Sequence, residues 1–228
     1  MKIQTILLEE IDHIEDTVVV IDVLRAFTST AYAFAAGAES IQLVRTVGEA
    51  LAIRQAQQDS LVVGEAGGLR PDGFDFGNSP NDFIGQNLSG RRLIQRTSAG
   101  TQGAVLSVAA RHLLAASFVC ARATVRFIQS VQPDQVTLVV TGSHTADNGD
   151  EDRACADYLT AVLRGESPNW QAFVLRVTES EAGKRFTGQP GEEFDRRDLE
   201  NALRLDRFSF AMVAHLEASK LILRPHRI

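Results

Sequence analysis

Short apolar runs rich in β-branched residues alternate with longer helical patterns along most of the chain, and this alternation constrains the fold more than any other feature. Six runs are predicted to be strands: residues 17–21, 40–45, 61–64, 92–96, 117–120 and 136–141. Strands that alternate with helices form largely parallel sheets with helices on both faces and right-handed crossovers. The sequence therefore predicts a three-layer α/β/α fold with a largely parallel or mixed central sheet.

The alternation stops at Pro168, and the rest of the chain has a different pattern. Residues 170–177 and 195–203 predict helices, and residues 208–213 with 221–223 predict a closing antiparallel hairpin. No hydrophilic linker and no internal repeat divides the sequence. We therefore predict one domain over residues 1–228, with a βα-alternating core in 1–165 and C-terminal helices and a hairpin in 166–228.

The composition of the chain limits the kinds of partner that the protein can have. The 228 residues are 44% apolar and 23% charged, which is ordinary for a soluble globular protein. A formal charge of −6 without a Lys/Arg run argues against a nucleic-acid partner. No apolar run approaches the roughly 18 residues of a membrane span, and two cysteines form no disulfide framework. We expect a cytoplasmic protein with no membrane partner, and a homo-oligomer is compatible with the sequence.

The stretch 64–80 is a loop that follows a predicted strand and contains five glycines and two prolines. Its carboxylates, Glu65, Asp72 and Asp75, suggest a hard cation, and its glycines suggest close approach of the backbone to a phosphate. Open α/β sheets place their sites at the carboxyl ends of strands, as here. The alternative is a solvated surface connection with no ligand.

Asp22 lies at the carboxyl end of the strand 17–21, and Arg25 follows three residues later. The carboxylate can bind a cation or attack phosphorus, and the guanidinium can hold a phosphate or carboxylate through two hydrogen bonds. A structural Asp–Arg pair at a helix entrance is the alternative.

Two further loops follow predicted strands. Thr97, Ser98, Gly100 and Thr101 lie between a strand and a helix, where they predict either an anion site or plain helix capping. The polar loop 142–152 ranks second as a source of metal ligands, although helix capping explains its acids at 150–152. His144 within it has no evident partner and is interpreted as a surface residue.

Other chemistries have weaker support. The chain contains no GxxxxGK[ST] nucleotide loop, and Leu24 stands where a dehalogenase-type phosphatase needs a second Asp. Pro80 follows Ser79, so that serine is not in a nucleophile elbow. Cys155 falls on an apolar helix face, and nothing in the sequence activates Cys120.

Together, five motifs resemble those of the 2-phosphosulfolactate phosphatase family. They are Asp22-Val23-Leu24-Arg25-Ala26, Gly64-Glu65-x-Gly67-Gly68, Gly73-Phe74-Asp75-x-Gly77-Asn78-Ser79-Pro80, Thr97-x-x-Gly100-Thr101 and Glu151-Asp152-x-x-Cys155-Ala156. The likeness covers residues 18–163, with a weaker likeness over 198–210. The long glycine-loop motif is the specific one.

The resemblance implies a Mg²⁺-dependent phosphomonoesterase that converts 2-phosphosulfolactate to sulfolactate and phosphate, a step associated with coenzyme M biosynthesis. Its implied catalytic residues are Asp22, Arg25, Glu65 and Asp75. Glu65 and Asp75 would hold Mg²⁺, and Asp22 would be either a third ligand or a nucleophile. We predict that substrate is bound by Gly67, Gly68, Asn78, Ser79, Thr97, Ser98, Gly100, Thr101 and Arg122. Of these, Asn78 and Thr101 are the residues that the resemblance itself carries over.

Two departures from the family pattern bear on the substrate. Ala66 stands where the family usually has Arg, and Ser98-Ala99 stand where it usually has Thr-Asn. Loss of a charged hydrogen-bond donor to an anion removes about 1.5–3 kcal/mol of binding. Arg96 or Arg122 could restore the charge. The alternatives are a phosphatase with an altered substrate and a non-catalytic sensor of small phosphate or sulfonate esters.

Overall fold

The computed structural model describes residues 1–142 and 149–227, in which nine strands form one sheet. The strands are β1 (Lys2–Leu7), β2 (Thr17–Ile21), β3 (Ser40–Leu43), β4 (Leu61–Gly64), β5 (Arg92–Arg96), β6 (His112–Ala116), β7 (Gln135–Val140), β8 (Phe210–Glu217) and β9 (Lys220–Arg227). The α-helices are α1 (Ala26–Ala35), α2 (Val47–Ala56), α3 (Gly100–Leu106), α4 (Ala121–Val131), α5 (Asp150–Leu163), α6 (Trp170–Glu179), α7 (Glu181–Lys184) and α8 (Arg196–Ala202). Short 3-10 helices span Leu8–Glu10, Pro80–Phe83 and Phe118–Cys120.

The strand order is β1-β7-β2-β6-β8-β9-β3-β5-β4, so the C-terminal hairpin lies inside the sheet. β1, β7, β2 and β6 are mutually parallel, as are β3, β5 and β4, and the hairpin pairs antiparallel with both groups. The predicted α/β class, the mostly parallel sheet and the antiparallel hairpin are confirmed. The hairpin was expected to close the fold, but β8 and β9 lie in the middle of the sheet and join the two parallel groups.

Alternate residues of β2 are buried on opposite faces of the sheet, and helices cover both faces to give three layers. Val18 and Val20 pack in a cluster that includes α1, whereas Val19 and Ile21 pack with α4 and α5. All five residues of this strand are buried, as expected for a strand covered by helices on both faces. No helix in the described residues is both long and apolar enough to cross a membrane.

Two strand predictions were wrong. The strand predicted at 117–120 lies earlier, at β6, and residues Phe118–Cys120 form a 3-10 helix that leads into α4. The alanines of β6 have low strand propensity, and its pairing with β2 and β8 overrides that preference. Strand β1 was not predicted: it lies at the edge of the sheet, none of its residues is fully buried, and its sequence KIQTIL has neither a continuous apolar run nor a strict alternation.

The sheet curls so that strand ends from its two groups meet. Since three antiparallel pairings separate β6 from β3, the group β3-β5-β4 runs opposite to the group containing β2. In a flat sheet their carboxyl ends would lie at opposite edges. Instead the backbone N–H of Gly100, which follows β5, donates to Asp22 Oδ2, after β2, at 3.0 Å. The loops after β2, β4 and β5 therefore border one cleft.

Candidate active site

The cleft is a cavity of about 260 Å³ formed by the loops after β2, β4 and β5 and by the segment after α6. Its lining combines two carboxylates, two arginines, glycines and two phenylalanine rings. The lining residues are Asp22, Leu24, Arg25, Glu65, Gly67, Gly68, Asn78, Ser98, Ala99, Ala182, Arg185, Phe186 and Phe194. Sequence-predicted residues from three separate loops thus meet in one place.

Asp22 is buried and held by two backbone donors. Its Oδ1 accepts from Ala26 N at 2.9 Å and its Oδ2 from Gly100 N at 3.0 Å. The pKa of Asp22 is raised to about 6, chiefly by burial and also by the negative charge of Glu65, against the lowering effect of the two backbone N–H groups and of Arg25. A Cβ at Gly100 would lie 2.8 Å from Asp22 Oδ2, so the glycine is needed for this approach.

Glu65 is buried in the same cavity and also accepts bonds from the surrounding loops. Its Oε2 accepts from Gly68 N at 2.7 Å and from Ser98 Oγ at 2.9 Å, and Ser98 N makes a short hydrogen bond to Oε1. Gly67 N donates to Ser98 Oγ at 3.0 Å. The backbone N–H groups of Gly67, Gly68 and Gly100 are therefore bonded to protein oxygens. The substrate contacts predicted for these three glycines stay predictions.

Arg25 lines the cleft, but its donors are occupied. Nη1 donates to Asp198 Oδ2 at 2.8 Å and Nη2 to Glu193 Oε1 at 2.9 Å. The guanidinium carbon also lies 5.4 Å from the ring centroid of Phe186 and 5.3 Å from that of Phe194. Arg25 thus ties the segment 186–198 to the loop after β2, rather than presenting a free fork to an anion.

Asp75 lies outside the cleft. Its Oδ2 accepts from Val62 N at 2.7 Å and forms an ion pair with Arg54. The cause is local: Asp75 N donates to Val62 O at 2.8 Å, which lays this part of the loop along β4 and directs the carboxylate to α2. The structure does not bring Asp75 together with Glu65, so the predicted metal site shared by the two stays a prediction that this geometry does not favour.

The hydroxyl residues after β5 separate into two environments. Ser98 lines the cleft, whereas Thr97 and Thr101 are fully buried beneath it. Thr97 N donates to Thr101 Oγ1 at 2.9 Å, and Thr101 N to Thr97 Oγ1 at 3.0 Å. These two threonines fix the turn into α3, and their predicted contact with substrate stays a prediction that their burial does not favour.

Asn78 and Ser79, although adjacent in sequence, also lie in different environments. Asn78 is buried and lines the cleft, and its Oδ1 has no hydrogen-bond partner among the described residues. Ser79 lines a neighbouring cavity of about 300 Å³ and donates to Asp198 Oδ1 at 2.6 Å. Of this pair, only Asn78 borders the cleft.

Neither arginine expected to compensate for Ala66 fills that role. Arg122 lies in a separate cavity, paired with Asp206 at 3.3 Å, so its predicted substrate contact stays a prediction that this position does not favour. Arg96 Nη1 donates to the backbone oxygen of Glu65 at 2.7 Å, which positions the loop after β4. Both side chains are engaged by the fold.

Sequence analysis missed the far wall of the cleft, formed by Arg185, Phe186 and Phe194. These residues follow no strand, and no local motif distinguishes them. They reach the cleft only because Arg25 holds their segment there.

The acidic start of α5, which ranked second as a predicted source of metal ligands, lies against the loop after β2. Asp152 Oδ1 accepts from Val23 N at 2.7 Å, and burial raises its pKa well above the usual value. Burial is also the main cause that raises the pKa of Glu151 to about 7. The polar loop before α5 includes His144, and residues 143–148 lie outside the described part of the chain.

A cleft with two buried carboxylates at converging strand ends can bind a cation and, through it, an anionic group. The chain is an α/β enzyme of the phosphoric monoester hydrolase class, and comparison with known proteins supports this assignment. The sequence profile of the family described as 2-phosphosulpholactate phosphatase matches residues 5–213. The chain belongs to this family.

Three relatives illustrate the likeness, and each is named a probable 2-phosphosulfolactate phosphatase. A Bacillus subtilis protein is 35% identical over 185 residues, covering 81% of this chain and 80% of the relative. A Deinococcus radiodurans protein is 37% identical over 196 residues, covering 84% and 79%. A Carboxydothermus hydrogenoformans protein is 32% identical over 231 residues, covering 96% and 95%.

Proposed function

We propose that this enzyme hydrolyses 2-phosphosulfolactate to sulfolactate and phosphate in the cleft between β2, β4 and β5. The observation that carries the proposal is that Asp22 and Glu65, which follow different strands, line one cavity. The names of the relatives supply the substrate. The predicted place in coenzyme M biosynthesis and the cytoplasmic location rest on the resemblance and on composition, respectively.

The donor set of the cleft fits Mg²⁺. Asp22 and Glu65 offer hard carboxylate oxygens, and the charge of Glu65 raises the pKa of Asp22, a repulsion that a divalent cation would relieve. The described residues contain no metal-suited group of three or more His, Cys, Asp or Glu side chains. Mg²⁺ commonly uses one or two protein carboxylates and keeps several waters, so two ligands suffice. When bound, it would neutralise charge on the phosphoryl oxygens.

Residues of the chain hold the two carboxylates of the cleft in fixed orientations. Ala26 N and Gly100 N hold the Asp22 carboxylate in one position, and Gly68 N with Ser98 holds Glu65. Preorganised groups of this kind need no rearrangement during the reaction. Asp22 serves either as a metal ligand or as the nucleophile. As the nucleophile, its carboxylate oxygen would bond to phosphorus as the bond to the sulfolactate oxygen breaks and that oxygen takes a proton from water; a water molecule would then hydrolyse the acyl-phosphate, which releases phosphate and restores the carboxylate.

The test is phosphate release from 2-phosphosulfolactate, measured with Mg²⁺ and with EDTA. We expect release with the metal and none with the chelator. Thermal stabilisation by the phosphoester without release would instead support the sensor alternative. Release from other phosphomonoesters but not from this one would establish an altered substrate.

A further inference from the structure

Two arginines line the cleft, and the structure uses them in opposite ways. Arg25 is only 5% exposed and is neutralised by Asp198 and Glu193. Arg185 is exposed, and its side chain makes no hydrogen bond or ion pair within residues 1–142 and 149–227. Its charge is felt by Glu151, whose pKa it lowers against the larger effect of burial. Among the described cleft residues, Arg185 therefore has the guanidinium that is available to a ligand.

The position of Arg185 separates it from the two carboxylates. Asp22 and Glu65 belong to loops after β2 and β4, whereas Arg185 directly follows α7 on the wall formed by Phe186 and Phe194. A ligand that spans the cavity meets acids at one end and a cation at the other. A guanidinium has five donors in a planar fork that matches an oxyanion group.

We propose that Arg185 binds the anionic group of the substrate that is not transferred, namely its sulfonate or carboxylate. This inference rests on the proposed function, because it assumes a phosphoester that carries a second anionic group. The phosphoryl group is assigned to the Asp22–Glu65 end, where a divalent cation would be held. Arg185 then selects multiply anionic phosphoesters over those with a neutral alcohol portion.

The experiment compares Arg185→Gln with Lys184→Gln. Lys184 is an exposed cation next in the chain that does not line the cleft, so its substitution removes the same charge without removing the contact. Binding of sulfolactate and of inorganic phosphate is measured by calorimetry in the presence of Mg²⁺. We expect Arg185→Gln to weaken sulfolactate binding roughly ten- to hundred-fold and phosphate binding less than about twofold. Arg185→Lys should restore part of the loss.

Each outcome bears on a different statement. Equal sulfolactate affinity in the two Gln variants would overturn the inference, and so would a loss of phosphate binding as large as the loss of sulfolactate binding. If the unaltered enzyme releases phosphate from 2-phosphosulfolactate in either case, the proposed function stands while the inference fails. If it neither binds sulfolactate nor releases phosphate, both fail.

Discussion

The two walls of the cleft are held in place by different means. On the strand-end wall, backbone N–H groups of tight loops fix Asp22 and Glu65. On the opposite wall, one side chain, Arg25, reaches across and binds the carboxylates of Glu193 and Asp198. The first wall depends mainly on backbone geometry, with donors from several loops sharing the task. The second wall depends on a single residue, so one substitution should loosen it.

The largest effect is expected at the strand-end wall. Asp22→Asn should lower the rate of phosphate release about a hundred- to a thousand-fold, because the amide lacks the negative charge and places an N–H₂ group near a backbone donor. The measurement is kcat with Mg²⁺ present, alongside a circular dichroism spectrum to verify folding. A loss below about tenfold in a folded variant would contradict the role of this wall.

The opposite wall is tested through Arg25→Met. This change leaves the fully buried carboxylate of Asp198 without its cation, which costs about 3–5 kcal/mol when a buried pair is broken. Since Ser79 and Asn81 also donate to Asp198, we expect the lower end of that range. The free energy of unfolding in urea measures it. Arg25→Met with Asp198→Asn should recover part of the loss, and no recovery would argue against the buried pair as its source.

The buried acids make the metal-free protein sensitive to pH. The pKa of Asp22 is raised from 3.8 to about 6, so the folded state binds the proton more tightly than the unfolded state. Its stabilising contribution is complete below pH 4 and is lost as the pH rises through about 6. In EDTA, the stability of the unaltered protein relative to Asp22→Asn should therefore fall between pH 4 and 6. A constant difference would contradict the raised pKa, and Mg²⁺ should restore stability above pH 6.

The smallest effect is expected at Asp75. Because its carboxylate pairs with the partly exposed Arg54 outside the cleft, Asp75→Asn should change the rate less than about twofold and stability by about 1 kcal/mol or less. The same phosphate-release assay used for Asp22→Asn gives the comparison. A rate loss equal to that of Asp22→Asn would show that Asp75 takes part in the reaction after all.

The sequence was informative where structure is local and limited where contacts are distant. Periodicity located β2, β4 and β5, and the glycine loop pointed to Glu65. Position after a strand did not separate Glu65 from Asp75, because a backbone hydrogen bond within the loop decides which carboxylate enters the cleft. The wall that contains Arg185 could not be predicted from local sequence patterns. Its position depends on Arg25, whose partner Asp198 is 173 residues away in sequence.

The position of the C-terminal hairpin has a consequence for synthesis on the ribosome. Residues 210–227 are made after every other strand, yet they form the only bridge between the two parallel groups in the described sheet. A nascent chain can assemble each group early, because domains begin to fold from the N-terminal side during translation. It can join them only once the final two strands have left the exit tunnel. The cleft between the two groups is therefore expected to form only after the strands of both groups have been made.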